Sequence, residues 1–339
     1  MTPQGPRRAR RAAGAHSSGE APAAGNPVRW TREQTAELLL EPGTTDDKYR
    51  RGVLGLRTGS AAYPGAAVLS AEAAWRTGIG MVRYTPPLAD SRKALGLPSP
   101  AAAVLAARPE TVFMTDPGSA QLATDAWVIG SGTDPAKRSE KERAALLALL
   151  AGDAPVVLDA GALDLVAADG TVAAFTAPRI LTPHRGEFVA LWRAAGLGDQ
   201  PVGWPERGRS GRARVPAQRA LISATTQLAE RVSATVLLKG STTITATPAG
   251  LVFLSEPATP WLATAGTGDV LAGILGSLVA AHAESVRSHP ELLGALGAAA
   301  SELHDAAARR ASGGGPITAL DVAQALPGAI AEILQTRRA

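Results

Sequence analysis

The stretch GVLGLRTGSAAYPGAAVLSAEAAWRTGIGMVRY, residues 52–84, restricts the possible folds more than any other part of the chain. Val53–Leu56 is a short apolar run that ends in a glycine-rich turn. Gly65–Arg76 follows with Val68, Leu69 and Ala73 on one helical face, and Ile79–Tyr84 is apolar again. Strand, helix and strand joined this closely make a βαβ crossover, which sets the two strands parallel. Parallel strands are covered on both faces and read as continuous apolar runs rather than as alternation. The same signature recurs at Ala126–Gly130, Pro155–Ala160, Arg179–His184 and Ala234–Gly240, with a helical pattern over Arg138–Ala151. Further helices are expected at Glu291–Arg310 and Thr318–Leu326. Thr31 and Gln34 have capping-box spacing before a short helix. Thr243–Ser255 breaks the rhythm and reads as a hairpin, so an antiparallel edge is expected.

This alternation predicts an α/β fold with a central, mostly parallel sheet flanked by helices. Residues 1–29 are expected to be a disordered basic tail and residues 30–339 a single domain, because no interior boundary shows. Gly198–Ala220 is rich in Gly, Pro and Arg and reads as a long solvated insertion, whose charge is alternatively an aid to phosphate binding.

Composition excludes several classes of function. Net charge is +4, and the first 26 residues carry four arginines against one glutamate, which gives +3. The remaining chain is close to neutral, and aromatics are 4% of residues, so neither the basic stripe nor the stacking platform of a nucleic-acid binder is present. There is no cysteine, and the five histidines have no metal-ligand spacing. No apolar run reaches the roughly 18 residues a membrane span needs, and the N-terminus lacks the apolar core of a secretory signal. A cytoplasmic protein without membrane or nucleic-acid partners is expected.

The segment ATAGTGDVLAG, Ala263–Gly273, leads small residues into a helix whose first turn carries one carboxylate, Asp269. Peptide N–H groups at a helix start have no intrahelical partners and face outward at the positive end of the dipole. Glycine lets an anion approach them without a Cβ in the way. Gly266, Thr267 and Gly268 therefore read as an anion hole. Asp269 is either a helix cap or a general base taking a proton from a hydroxyl that attacks phosphorus. Walker, dinucleotide-binding and protein-kinase glycine motifs are absent.

The strings YPGAAVLSAEAAWRTGIGMV, RPETVF, VIGSG, VVLDAGAL, ILTPHRGEF, LLKGSTT and AGTGDVLAGILGSL run in one order across the chain after Trp30. Together they resemble the ADP-dependent NAD(P)H-hydrate dehydratase family of the ribokinase-like superfamily. That resemblance implies a ribokinase-like three-layer sandwich. It implies ADP-dependent dehydration of (6S)-NAD(P)HX to NAD(P)H with release of AMP and phosphate. Asp269 matches the family's catalytic aspartate. Ala66, Gly132 and His184 match its hydrate-binding positions. Lys239, Gly240, Ser241, Thr242 and Thr243, with Gly268, match its AMP-binding positions. ADP with Mg²⁺ is the implied nucleotide form, and Glu187 is a candidate to organise that ion. Separate readings remain for two of these segments: His184 as a structural polar group at a strand end, and KGSTT as a β-turn with an exposed lysine. GSG at Gly130–Gly132 departs from the GPG of many relatives, so a looser turn is expected. The 29 residues before Trp30 do not hold the epimerase domain fused to some members, so coupling to a separate epimerase is expected, along with a homo-oligomeric state. The competing readings are a ribokinase-like kinase acting on a vitamin-precursor or sugar alcohol, and a non-catalytic nucleotide-binding protein.

Overall fold

The computed structural model describes residues 26–88, 96–114, 124–166, 175–205 and 215–337. Most of the expected tail, and the centre of the basic insertion at 206–214, lie outside those residues. Among the described residues ten strands form one sheet: β1 (Val28–Arg29), β2 (Val53–Arg57), β3 (Met81–Tyr84), β4 (Val112–Phe113), β5 (Ala126–Ile129), β6 (Val156–Leu158), β7 (Arg179–Leu181), β8 (Thr235–Leu238), β9 (Ile244–Ala246) and β10 (Val252–Leu254). Their spatial order is β1-β10-β9-β8-β7-β6-β5-β2-β3-β4. The described helices are α1 (Arg32–Leu38), α2 (Pro64–Thr77), α3 (Pro100–Ala107), α4 (Glu140–Leu150), α5 (Arg185–Ala194), α6 (Gln218–Arg231), α7 (Thr267–Ala281), α8 (Ala283–Ser288), α9 (Leu292–Ser312) and α10 (Ala319–Thr336).

The sheet is parallel except where β9 runs against both β8 and β10. The expected hairpin is present, but it is not the edge of the sheet. The short β1 pairs in parallel with β10 and takes the outer position, so order begins before the boundary read at Trp30.

Successive side chains of a strand point to opposite faces, and both faces are apolar here. Leu54, Leu56, Val128, Val157 and Leu237 enter one core with α1, α2, α7, α9 and α10. Trp127, Ile129, Val156, Leu158, Val236 and Leu238 enter a second core with α4, α5 and α6. Two cores on either side of one sheet make the three-layer sandwich. Among the described helices, none is long and apolar enough to cross a membrane.

Three local expectations change. The last helix does not stop at Leu326. It continues through Pro327 to Thr336, because Ala329 and Ile333 are fully buried against the first core and tertiary packing outweighs the lost hydrogen bond. The GSG turn is not loose: the Ser131 carbonyl accepts from Gly59 N–H at 2.7 Å, and Ser131 is fully buried. The insertion is not wholly solvated. Trp204 is buried and stacks on Phe188 with centroids 5.0 Å apart, and Phe188 in turn stacks on Trp192.

Trp204→Ala is expected to destabilise the protein by about 3 kcal/mol, the cost of emptying a buried indole site. Chemical denaturation checks this, and a change below about 0.5 kcal/mol would show that the segment contributes nothing to the core.

Candidate functional site

The carboxyl ends of five adjacent parallel strands gather the predicted residues on one rim. The chain runs outward from β2 in both directions, to β3 and β4 on one side and to β5 through β8 on the other. This reversal lies between the loops after β2 and β5, the usual ligand position in such sheets. Ala66 comes from the first turn of α2, which follows the first loop, and Gly132 from the second loop. Gly132 has φ +68°, and a Cβ there would stand 2.3 Å from Ala66 Cβ and 3.2 Å from the Tyr63 carbonyl oxygen. The two predicted positions are therefore in direct contact, and only a glycine fits between them.

The loops after β7 and β8 lie side by side. Lys239 N–H donates to the Pro183 carbonyl at 2.9 Å, and His184 bridges to Lys239 in parallel register. His184 is the N-cap of α5. Its Nδ1 accepts from the N–H groups of Gly186 and Glu187 at 2.9 and 3.2 Å, while Glu187 accepts from His184 N–H at 2.7 Å. With Nδ1 accepting, the ring proton of the neutral form belongs on Nε2. The His184 side chain is 61% exposed, and its Nε2 edge lies 3.5 Å from Glu187 Oε1 while the other edge caps the helix. The structural reading of His184 therefore holds at its Nδ1 edge.

Gly266 starts α7 in the left-handed region, at φ +89°, with no side-chain cap. A Cβ there would meet Leu69 Cδ1 at 2.6 Å. Thr267 Oγ1 donates to the carbonyls of Leu262 and Thr264, which ties the loop to itself and leaves the helix start open. The N–H groups of Gly268 and Asp269 have no partner among the described residues, since Val270 N–H is the first to return to the Gly266 carbonyl. The helix-cap reading of Asp269 does not hold, because its carboxylate accepts no capping bond. Gly268 has no steric need to be glycine: a Cβ would lie 3.6 Å from Lys239 Nζ, an ordinary contact. The Lys239 ammonium thus lies beside the bare peptide N–H groups of the helix start, an arrangement that can stabilise an anion.

The charges around this gap are uneven. Burial pushes the Asp269 carboxyl up to about 7, the nearby Asp159 carboxylate pushes the same way, and Lys239 opposes both. Lys239 donates to Asp159 Oδ1 at 2.8 Å and lies 4.0 Å from Glu187. Burial works against its charge, but Asp159, Glu187 and Asp269 outweigh it and raise its pKa. His304, buried in α9, is held neutral: burial first, then Lys239, push it down to about 4 against a hydrogen bond to the Thr267 backbone. Sequence reading missed Asp159 and His304 as parts of this site. Asp159 sits in the quoted VVLDAGAL string, and His304 has no local signal at all.

Beyond Lys239 the cleft opens into a cavity of about 560 Å³. Gly240, Ser241 and Thr242 line it together with Arg29, Arg185 and the apolar Leu221, Leu238 and Ile244. Thr243 does not line it; the Thr243 N–H donates to Ser255 Oγ at 2.8 Å, and Ser255 lines the cavity. Among the described residues no three His, Asp or Glu side chains cluster as a metal site. Glu187 is occupied by the α5 cap and by Lys239.

The chain was compared with known proteins. Residues 54–327 match the family model of NAD(P)H-hydrate dehydratase. The bifunctional NAD(P)H-hydrate repair enzyme Nnr of Mycobacterium tuberculosis is 40% identical over 240 residues, 70% of this chain and 43% of that protein. The chain thus spans less than half the length of that relative. The ADP-dependent (S)-NAD(P)H-hydrate dehydratase of Neisseria meningitidis serogroup B is 34% identical, over 68% of this chain and 69% of that one. Among solved structures, the ADP/ATP-dependent NAD(P)H-hydrate dehydratase of Bacillus subtilis, co-crystallised with ATP/Mg²⁺, aligns with a TM-score of 0.70. It is 26% identical and covers 91% of this chain and all of its own. With a family match over residues 54–327, more than half of its length, the chain belongs to the NAD(P)H-hydrate dehydratase family.

Proposed function

We propose that this protein dehydrates (6S)-NAD(P)HX to NAD(P)H at the expense of ADP, with Asp269 as the base. The observation that carries the reading is a carboxylate with its pKa near 7 beside an uncapped helix N-terminus and an ammonium. A base tuned to neutral pH removes a hydroxyl proton efficiently, while the N–H groups and Lys239 take up charge on the phosphate oxygens. Ala66, Gly132 and the Nε2 edge of His184 face the hydrated ring. Gly240–Thr242 and the cavity behind them hold the adenosine end.

Asp269 takes the proton of the ring hydroxyl as its oxygen attacks the β-phosphorus of ADP. The bond from that phosphorus to the bridging oxygen breaks, and AMP departs. The ring nitrogen lone pair then expels the new phosphate ester as inorganic phosphate, and loss of a proton from the adjacent ring carbon restores the dihydronicotinamide. The donor set does not build a protein-held metal site, so Mg²⁺ enters this reading only as the counter-ion of the nucleotide. Acting on the S epimer alone, the site relies on an epimerase activity to convert the R form.

Incubation with NADHX and ADP is expected to yield dihydronicotinamide absorbance and AMP in equal amounts. A stable phosphoester product would instead mark an alcohol kinase. Asp269→Asn is expected to lower kcat by about 100-fold or more while nucleotide Kd changes less than about threefold. Near-parental turnover removes Asp269 from the mechanism.

Because Asp269 acts only when ionised, kcat/KM is expected to rise through an acid limb centred near pH 7. The same shift costs stability. In the unfolded chain this carboxyl ionises near 3.8, so stability falls as pH rises from there to about 7. Asp269→Asn is expected to raise the melting temperature above pH 7 and to leave it unchanged below pH 3.8. Equal melting curves at pH 8 would contradict the raised pKa. Lys239→Met is expected to weaken ADP binding by about 10- to 100-fold, the loss of a charge-assisted phosphate contact, measurable by calorimetry.

A further inference from the structure

Asp159 is a carboxylate of this site that the reaction above leaves without a task. It is 3% exposed and sits just after β6. Its Oδ1 accepts from Lys239 Nζ at 2.8 Å and from Thr182 Oγ1 at 2.7 Å, and its Oδ2 accepts from Ser131 Oγ at 2.9 Å. The donors come from the loops after β8, β7 and β5, so four neighbouring strands converge on one carboxylate. The backbone around it is constrained as well. Ala160, the next residue, is held at φ +44°, a conformation that costs a non-glycine residue on the order of 1 kcal/mol. Gly130, at φ +98°, lets the GSG turn close onto the Asp159 carbonyl, where a Cβ would stand 2.2 Å from the oxygen.

A buried carboxylate is expensive unless its lone pairs and its charge are matched. Burial opposes the charge of Asp159, but Lys239 and the two hydroxyls outweigh it and hold the carboxyl below its usual range. The group is therefore a permanent anion. The ionisable groups around it are Lys239 after β8, Asp269 on α7, Glu187 and His184 on the loop and cap of α5, and His304 on α9. His304 carries no charge here, and Glu187 touches Lys239 rather than Asp269.

Lys239 has two possible principal partners, Asp159 and Asp269. An ammonium paired with Asp269 would lower its pKa by about one to three units and make it a poor base. The same pairing would draw the cation off the phosphate.

We propose that Asp159 is a positioning residue for this site: it anchors the Lys239 ammonium away from Asp269 and presents a fixed negative charge to it, so that Asp269 acts as a base rather than as an ion-pair partner. Ser131 belongs to the same device. A proline at that position of the turn has no hydroxyl to give, whereas this serine supplies a third donor that satisfies the buried Asp159 carboxylate.

The proposal rests on the reading of Asp269 as the base, and its test reads Asp269 directly. The γ-carboxyl ¹³C signals of aspartate-labelled protein are followed against pH, with the Asp269 signal identified by its loss in Asp269→Asn. In the parent protein Asp269 is expected to titrate near 7. In Asp159→Asn its midpoint is expected to fall by about one unit or more, and kcat about tenfold or more. Ser131→Ala disturbs the same hydrogen-bond cluster but leaves its charge, so the midpoint is expected to stay within about 0.3 unit of the parent while the melting temperature falls. An unmoved midpoint in Asp159→Asn, or equal shifts in both variants, would overturn the proposal. So would an Asp269 signal titrating near 4 in the parent protein, a result that needs no Asp159 variant to fold. If the titrations come out as expected but NADHX is not converted, the assigned reaction fails and the role of Asp159 stands.

Discussion

Lys239 cannot lose its charge or its position without changing everything around it. Its ammonium stands among the carboxylates of Asp159, Glu187 and Asp269, opposite the open start of α7. Each of those groups is delivered by a different loop, and each loop is the carboxyl end of a strand or the start of a helix set by the sheet. The three-layer architecture is what makes this possible. Apolar strands buried on both faces place their ends within a few ångströms of one another, and the loops inherit that spacing. Water is largely excluded where Asp159 sits, so its charge acts at close range with little screening.

How much of this was legible in the chain depends on how local the signal is. The open helix start needs only consecutive residues, and Gly266–Asp269 announces it. The crossover over residues 52–84 fixes two parallel strands for the same reason; Ala66 lies in the helix turn that follows its glycine-rich loop, and Gly132 in the turn after a strand. Asp159 is different. Within VVLDAG it ends a strand, and nothing in those six residues shows that hydroxyls from positions 131 and 182 and an ammonium from position 239 will meet there. His304 lies mid-helix in an alanine-rich segment, and its neutral state is set by burial and by Lys239. Val28–Arg29 is too short to have a periodicity. The helix expected to end at Leu326 runs on because the turns beyond Pro327 carry an apolar face that packs on the first core. Trp204 misled because its surroundings are rich in Gly, Pro and Arg, while its own ring finds Phe188.

The site also shows where stability has been set aside. Asp269 is partly buried with a neighbouring like charge, Ala160 sits in a left-handed conformation, and the α7 start leaves N–H groups without partners. None of these features helps the apoprotein fold. All of them are held in place by the two cores above and below the sheet, which are densely apolar. A nucleotide with its phosphates at the α7 start would relieve the open N–H groups, so ligand binding and fold stability are coupled through this rim.

Among the described residues the outermost strands, β1 and β4, each comprise only two residues, on either side of a sheet whose inner strands are fully covered. A strand that short offers almost no free ladder for another chain to extend. These two stubs give a second copy of the protein little to hold on to, so the helices and loops around the sheet are the larger surface for association.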